Sequence, residues 1–184
     1  MNGASKKVPG CLPDYGRFQL GALVTMRMLM GWHFLYEGVA KITNPYWTSA
    51  GYLRESQGWF SKYFLDLANN PGALTVVDQL NQWGLVLIGL ALLIGTLERM
   101  AAVAGIVLLA LYYLAAPPFP GMEYTIPAEG AYLIVNKVLI ELAALLVVLG
   151  FPTAHRIGLD RLLAWKKNHA GPAQTGLATG EAAS

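Results

Sequence analysis

The chain has 184 residues, of which 55% are hydrophobic and 13% are charged, and its mean hydropathy is +0.43. Soluble domains usually carry about 25% charged residues, so this composition indicates a small polytopic membrane protein rather than a water-soluble domain. The net charge is only +2 and the basic residues do not share one exposed face, which argues against nucleic-acid binding. The single cysteine, Cys11, makes no intrachain disulfide and no CxxC redox pair.

The N-terminal segment, residues 1–17, is polar and is predicted to be a mobile tail. Lys6 and Lys7 precede Cys11 at the place where a signal peptide or a lipoprotein leader would have its apolar stretch. The tail is therefore predicted to be neither a signal peptide nor a lipid anchor.

The first predicted membrane span, residues 18–41, carries four ionisable side chains on one face. At roughly 100° per residue of helix, they fall within an arc of about 120°. They are Arg27, His33, Glu37 and Lys41. An ionisable group in hydrocarbon is strongly unfavourable unless it is paired or hydrated. The stripe must therefore face protein or a water-filled cavity, and it is the main functional clue in the sequence.

The next segment, residues 46–79, is too polar to span a membrane and is dense in aromatic residues. Such residues favour the membrane–water interface. Five apolar residues of the segment recur at helical spacing: Trp59, Phe60, Tyr63, Phe64 and Leu67. They predict an amphipathic helix that lies on the bilayer or caps the membrane helices. A turn is predicted at residues 69–72, which read Asn-Asn-Pro-Gly.

Three more apolar segments are long enough to span: residues 80–97, 100–116 and 131–150. The second and third spans form a hairpin connected at Glu98 and Arg99, and both have uncharged interiors. The fourth span contains Asn136, Lys137 and Glu141. The predicted fold class is all-α, a polytopic membrane four-helix bundle with an amphipathic interfacial segment between helices one and two. One membrane domain covers residues 18–152, and a basic juxtamembrane segment with a flexible tail covers 153–184.

The distribution of Lys and Arg predicts the topology. With both termini in the cytoplasm, eight of these residues lie inside and two, Arg54 and Lys62, lie outside. This is a clear positive-inside bias. The inside set is Lys6, Lys7, Arg17, Arg99, Arg156, Arg161, Lys166 and Lys167. We expect a multi-pass protein of a prokaryotic cytoplasmic membrane whose aromatic segment faces the exterior.

Helices one and four are expected to share the intramembrane charges. Counted by rise per residue, Arg27 and Glu141 lie near the midplane, whereas His33, Asn136 and Lys137 lie in the outer half. We therefore predict a buried polar network formed by Arg27, Glu141, Lys137, His33 and Glu37, with helices two and three as apolar walls. Such a network either fixes the helix register or carries chemistry, and both interpretations stay open.

Several separated segments of the chain resemble the DoxX/DoxD family, from about residue 22 to about residue 163. They include RMLMGWHFLYEGVAKITNPYW, VVDQLNQWGLVLIGLALLIGTLERMAA, LYYLAAPP and YLIVNKVLIELAALLVVL. The chain is most similar to the DoxD branch, the small membrane subunit of archaeal thiosulfate:quinone oxidoreductase. The resemblance implies four transmembrane helices, a quinone-linked redox role and a partner called DoxA, which here would be a separate chain.

On this resemblance we expect membrane quinone as substrate or bound ligand. His33 would donate to a quinone oxygen and deliver a proton, and Glu37 and Glu141 would relay protons. Arg27 or Lys137 would stabilise the anionic reduced ligand. The further candidate ligand contacts are Asn136, Tyr112 and Tyr113, although the two tyrosines also suit an interfacial aromatic belt. Thiosulfate, or a related sulfur compound, would be the electron donor.

Other functions stay open. The chain could instead be a non-catalytic subunit that anchors or stabilises a larger membrane complex, and a small transporter is the third interpretation. No metal is expected, because the three histidines, His33, His155 and His169, lie in different regions and one cysteine cannot hold an iron–sulfur cluster. The expected partners are membrane lipid, quinone and either a DoxA-like chain or a larger complex.

Overall fold

The computed structural model describes residues 15–119, 122, 124 and 133–158. Three parts of the chain lie wholly or mostly outside the described residues. They are the predicted N-terminal tail, the segment 117–130 between the third and fourth predicted spans, and the basic segment from residue 159 onward. Within the described part the regular structure is helical. Its six helices are α1 (Arg17–Thr43), α2 (Ala50–Arg54), α3 (Ser61–Asn69), α4 (Pro71–Ile94), α5 (Glu98–Ala115) and α6 (Lys137–Gly150).

Helix α4 begins nine residues earlier than the predicted second span. The predicted turn at residues 69–72 is instead the start of this helix. Asn70 is the N-cap, and its side-chain oxygen accepts hydrogen bonds from the backbone N–H groups of Gly72 and Ala73. Pro71 follows at the first helical position, where a missing N–H has no consequence. The Asn-Pro pair therefore marks the start of a helix, and the prediction of a turn is wrong. Residues 71–79 belong to α4 rather than to the predicted exterior segment.

Helix α6 begins six residues later than the predicted fourth span. Asn136 is its N-cap, and the side chain accepts a hydrogen bond from Leu139 N at 2.9 Å. Leu133, just before it, has a positive φ of 61° and is therefore not helical. Residues 133–135 are apolar but not helical, so hydropathy alone does not show where the helix begins.

The four longest helices form a closed ring of neighbours. Helix α1 packs against α4 and α6, and α5 packs against the same two helices from the other side. The buried core lies inside this ring. Its largest fully buried apolar side chains are Phe34, Leu92, Leu145 and Val148. The expected all-helical fold is therefore present, and α1 follows the predicted first span closely.

Glycines allow α1 and α4 to approach each other almost backbone to backbone. A Cβ atom built on Gly89 of α4 would lie 2.4 Å from Leu35 N and 2.8 Å from Gly31 O of α1. A Cβ on Gly38 would lie 2.8 Å from Val86 N. Small residues at such crossings give close van der Waals packing, which is the usual basis of helix association in membranes. This contact fixes the height of α1 against α4.

We call one end of the ring the aromatic end; there α1 ends, α4 begins, α5 ends and α6 begins. The segment 44–70 packs over it. Asp78 of α4 accepts hydrogen bonds from Thr48 Oγ1 and Ser49 N, at 2.9 and 2.8 Å. Tyr52 Oη donates to the backbone oxygen of Tyr112 at 2.8 Å. The predicted amphipathic helix is present as α3, which follows Trp59 and directs Tyr63 outward.

At the opposite end, a buried polar cluster ties the segment after α6 to α1 and α5. We call it the clasp; it consists of Arg27, Glu98 and Thr153 with the backbone of Ala154 and Ile157. The first three are 2%, 2% and 1% exposed. Arg27 Nη1 donates to Thr153 Oγ1 at 3.0 Å, and that hydroxyl donates to Glu98 Oε1 at 3.2 Å. The Thr153 hydroxyl thereby connects a buried cation to a buried anion.

Backbone groups complete the clasp. Glu98 Oε2 accepts hydrogen bonds from the N–H groups of Thr153, at 2.9 Å, and Ala154, while Arg27 Nη2 donates to Ile157 O at 2.9 Å. Gly95, in the α4–α5 turn, has a φ of 71°, and a Cβ there would lie 3.2 Å from Arg27 Nη1. Glycine at this position therefore supplies both the backbone conformation and the space for the guanidinium.

Helices α4 and α5 are long and apolar enough to cross a membrane. Only 28% and 33% of the residues in their most apolar stretches are buried inside the protein. Leu87 and Val107, for example, are more than half exposed. The core helix of a soluble protein would instead be mostly buried, so this exposed apolar surface is typical of helices that face lipid.

Gly89→Ala should lower the stability of the folded protein by about 1–3 kcal/mol, because the added methyl group forces α1 and α4 apart. Gly84→Ala is the matched control on the same helix, since a Cβ at Gly84 meets nothing within 4 Å. Thermal unfolding in mild detergent measures the difference. Equal midpoints for the two variants would contradict the close α1–α4 packing.

Thr153→Val should also destabilise the protein, by about 1–3 kcal/mol, because buried Arg27 and Glu98 each lose a hydrogen-bond partner. Thr43→Val is the control, because the Thr43 hydroxyl is exposed and bonds only carbonyl oxygens of its own helix. Denaturant titration of both variants compares them. A Thr153→Val protein as stable as the control would show that the clasp does not hold the fold.

Candidate functional site

A cavity of about 170 Å³ lies among the four ring helices at the aromatic end. Its apolar lining comes from α1, α4, α5 and α6, namely Phe34, Leu85, Leu109 and Val138. Its polar lining is His33, Glu37, Lys41, Tyr112, Lys137 and Glu141. An apolar pocket with a few convergent polar groups between helices is a common form of ligand site.

His33 and Glu141 meet across the gap between α1 and α6. His33 Nε2 lies 3.0 Å from Glu141 Oε1, and the two side chains are 32% and 14% exposed. The sequence places both residues in one predicted network, but it puts Glu141 level with Arg27 and His33 level with Asn136 and Lys137. At this distance the imidazole and the carboxylate can exchange a proton, and both face the cavity. Their catalytic role stays a prediction.

Glu37 and Lys41 form a second pair, one helical turn nearer the aromatic end. Lys41 Nζ donates to Glu37 Oε2 at 2.6 Å, and the same ammonium lies 5.7 Å from the centre of the Trp47 ring. Lys137 of α6 interacts electrostatically with Glu37. The mouth of the cavity is therefore lined by charges of both signs, which come from both α1 and α6.

Arg27 does not belong to this cluster. The prediction that Arg27 and Glu141 share one network at the midplane is wrong, because the guanidinium bonds Thr153 and Ile157 in the clasp. The depth of Arg27 explains the error. Its partner Thr153 bonds Glu98, the first residue of α5, so Arg27 lies level with the end of that helix, whereas Glu141 pairs with His33, further along α1. At 1.5 Å per residue, the two levels are about 9 Å apart.

The three predicted ligand contacts other than His33 have different positions. Asn136 caps α6 through its side-chain oxygen. Tyr113 donates to Ile134 O at 2.9 Å and does not line the cavity. Tyr112 does line the cavity, so only this one of the three is placed to contact a ligand directly.

Helices α4 and α5, predicted as apolar walls, each carry one buried polar side-chain atom. Tyr112 Oη of α5 and Asn81 Oδ1 of α4 are both buried without a hydrogen-bond partner in the part of the chain that the structure describes. The two side chains nevertheless lie close enough for a long hydrogen bond from the Tyr112 hydroxyl to the Asn81 amide, so each is the nearest partner available to the other. The sequence signal for Asn81 is a single amide in an apolar span, one turn before the cavity residue Leu85. Because this amide is uncharged, a search for intramembrane charges does not reveal it.

Glu98, which the sequence places in a short connection, is the second residue whose role was missed. Its burial could be found only from the structure, because the residues that bond it lie about 55 positions later. Among the described residues, no three His, Cys, Asp or Glu side chains are grouped to hold a metal ion. That the chain binds no metal stays a prediction.

Comparison with known proteins gives one assignment. Searches of curated proteins and of solved structures find no significant match. The DoxX family matches residues 22–117, which is more than half of the chain and includes most of α1 and all of α2 to α5. Family membership and the two apolar helices α4 and α5 agree in indicating a membrane protein. The chain belongs to the DoxX family.

Proposed function

We propose that the chain is the integral membrane subunit of a quinone-linked oxidoreductase and that the cavity at the aromatic end binds the quinone headgroup. The observation that carries the proposal is the His33–Glu141 pair, with 3.0 Å between Nε2 and Oε1, on the wall of that cavity. The resemblance to DoxD favours thiosulfate, or a related sulfur compound, as the electron donor. It also favours a separate DoxA-like partner chain.

The cavity residues suit a quinone ring. The volume of about 170 Å³ is close to that of an engineered cavity of about 150 Å³ that binds benzene. Phe34, Leu85 and Leu109 supply apolar surface for the faces of the ring. His33 and Glu141 supply polar groups for its oxygens. The isoprenoid tail would leave the ring of helices toward lipid.

The bound quinone supplies the redox chemistry, because it takes up two electrons and two protons when two thiosulfate ions are oxidised to tetrathionate. The protein supplies position and protons. The His33–Glu141 pair at the cavity wall transfers a proton to a ligand oxygen. Glu37, Lys41 and Lys137 lie at the cavity mouth and replace that proton from the aromatic end.

We further propose that all four ring helices cross the cytoplasmic membrane of a prokaryote, with both termini in the cytoplasm. The basic residues support this arrangement. Arg99 and Arg156 lie at the clasp end, while Arg54 and Lys62 lie in the segment that covers the aromatic end. The aromatic end, and with it the cavity mouth, would then face the exterior.

A non-catalytic subunit of a larger membrane complex is the second candidate. One observation favours it: α1 and α6 make the least extensive of the four contacts in the ring, and the His33–Glu141 pair joins them. In that case the pair would hold α6 in register, as buried ion pairs do in other helical proteins.

His33→Leu and Glu141→Leu should each lower quinone reduction by at least about 100-fold, which is the usual effect of losing a general acid–base group. The assay uses membranes that contain the full chain with its native partners and follows quinone absorbance after thiosulfate is added. His155→Leu is the matched control, because His155 is exposed and remote from the cavity.

Protein levels in the membrane and melting temperatures separate the two candidates. The oxidoreductase proposal requires variants that are present and folded but inactive. Turnover retained by both variants would exclude the proposed proton pathway. Loss of the folded protein in both variants would favour the anchoring subunit.

A further inference from the structure

We propose that Arg99 and Arg156, on the surface beside the clasp, together bind the phosphate of an anionic phospholipid in the bilayer leaflet at that end of the ring. This surface is separate from the cavity, so the inference goes beyond the proposed function and does not depend on it. It requires only that the protein lies in a membrane.

The clasp brings the two arginines together although they are far apart in the sequence. Arg99 follows Glu98 in α5, and Arg156 comes three residues after Thr153. Glu98 accepts hydrogen bonds from the N–H groups of Thr153, at 2.9 Å, and Ala154. The Arg156 N–H donates to Thr153 O at 2.9 Å, so its backbone is fixed to the same buried group. The backbone segments that carry the two cations are thereby held side by side before any ligand binds.

Tyr15 shows where the two guanidinium groups lie. The Arg156 guanidinium carbon is 5.9 Å from the centre of the Tyr15 ring, which is a cation–π distance. The Tyr15 ring also makes an edge contact with the Phe151 ring, with 6.5 Å between the two centres. Arg99 and Arg156 both interact electrostatically with the Tyr15 hydroxyl. The two cations therefore have a common neighbour and lie near enough to approach the same anionic group.

The surface beside the clasp is positively charged. Among the described residues, Glu98 is the one acidic residue at this end, and it is 2% exposed. Arg27, linked to Glu98 through Thr153, balances that charge inside the protein. Arg99 is exposed and Arg156 is half-buried, so the described residues present positive charge to the outside. Basic residues at the end of a membrane helix attract anionic lipid headgroups.

Exposed apolar side chains beside Arg99 favour a lipid over a free phosphate ion. Leu97 and Met100 flank the Glu98–Arg99 pair and are 63% and 67% exposed. They lie where α4 connects to α5, and these are the two helices with lipid-facing surface. Arg99 is therefore at the boundary between apolar and polar surface, which is the level of the bilayer headgroups. Arginine binds phosphate through two parallel hydrogen bonds. A lipid phosphate can contact both arginines while its acyl chains cover Leu97 and Met100.

The test measures which phospholipid stays with the purified protein. The full chain is incorporated into vesicles that contain equal amounts of phosphatidylglycerol and phosphatidylcholine with the same acyl chains, and it is then extracted in mild detergent. Native mass spectrometry counts the two lipids bound to each protein. Wild-type protein should hold phosphatidylglycerol in about 25-fold preference, since each arginine near an anionic lipid contributes about fivefold. Arg99→Gln and Arg156→Gln should each lower the preference about fivefold, and the double variant should remove it.

Arg54→Gln is the matched control and should leave the preference unchanged, because Arg54 is exposed at the aromatic end. A preference that survives in the double variant would overturn the inference, as would an equal loss in Arg54→Gln. If Arg156→Gln does not fold, Arg99→Gln decides alone, because the Arg99 side chain is exposed. Excess inorganic phosphate during extraction separates a lipid from a free ion. Bound phosphatidylglycerol should remain, and its displacement would show a site for free phosphate instead.

Discussion

The need to pair charges inside an apolar ring of helices determines how this protein is built. Helix α1 carries Arg27, His33, Glu37 and Lys41 along one face, and each would be strongly unfavourable against lipid. The fold resolves this by directing them to two different places. Arg27 enters the clasp with Glu98, and the other three line the cavity. Glycine contacts between α1 and α4 set the height of the stripe and so decide which residue meets which partner.

The two ends of the ring differ in whether their polar groups face a cavity. At the clasp end, Thr153 bonds both Arg27 and Glu98, and all three side chains are almost completely buried. This arrangement leaves no room for a ligand and suits a structural role. At the aromatic end, His33 and Glu141 remain partly exposed to a cavity. Polar groups beside a cavity are what a binding site requires, and this contrast is why we propose the ligand site there.

Much of the fold could be predicted from the sequence, because hydropathy and helical periodicity are local properties. The helix that became α1 and its polar face follow from residue spacing, and so does the presence of His33 and Glu141 in one network between the first and last spans. The start of α6 did not, because the apolar residues Leu133, Ile134 and Val135 continue the hydropathy of the helix without being helical. The depth of Arg27 did not either, because α1 begins about ten residues before the level of the clasp, where Arg27 meets Thr153. When the depth of a residue is counted from a predicted span end, an error in that end becomes an error in the predicted contacts.

The remaining features depend on contacts between distant parts of the chain. Glu98 accepts hydrogen bonds from Thr153 and Ala154, and no residue near Glu98 in the sequence predicts these contacts. Asn81 is inconspicuous in the sequence because an uncharged amide hardly alters the hydropathy of a span. Its partner Tyr112 lies thirty-one residues later, so their contact appears only in the structure. Lone amides in apolar helices therefore merit the same scrutiny as charges.

The most direct test of the central claim is to purify the full chain from its native membrane in mild detergent and to extract and identify any quinone by mass spectrometry. The proposal predicts quinone that co-purifies in an amount close to that of the protein and that dissociates when excess short-chain quinone is added. A stable, folded protein without quinone, which also binds none when quinone is supplied, would contradict the proposal and leave the anchoring subunit as the better explanation.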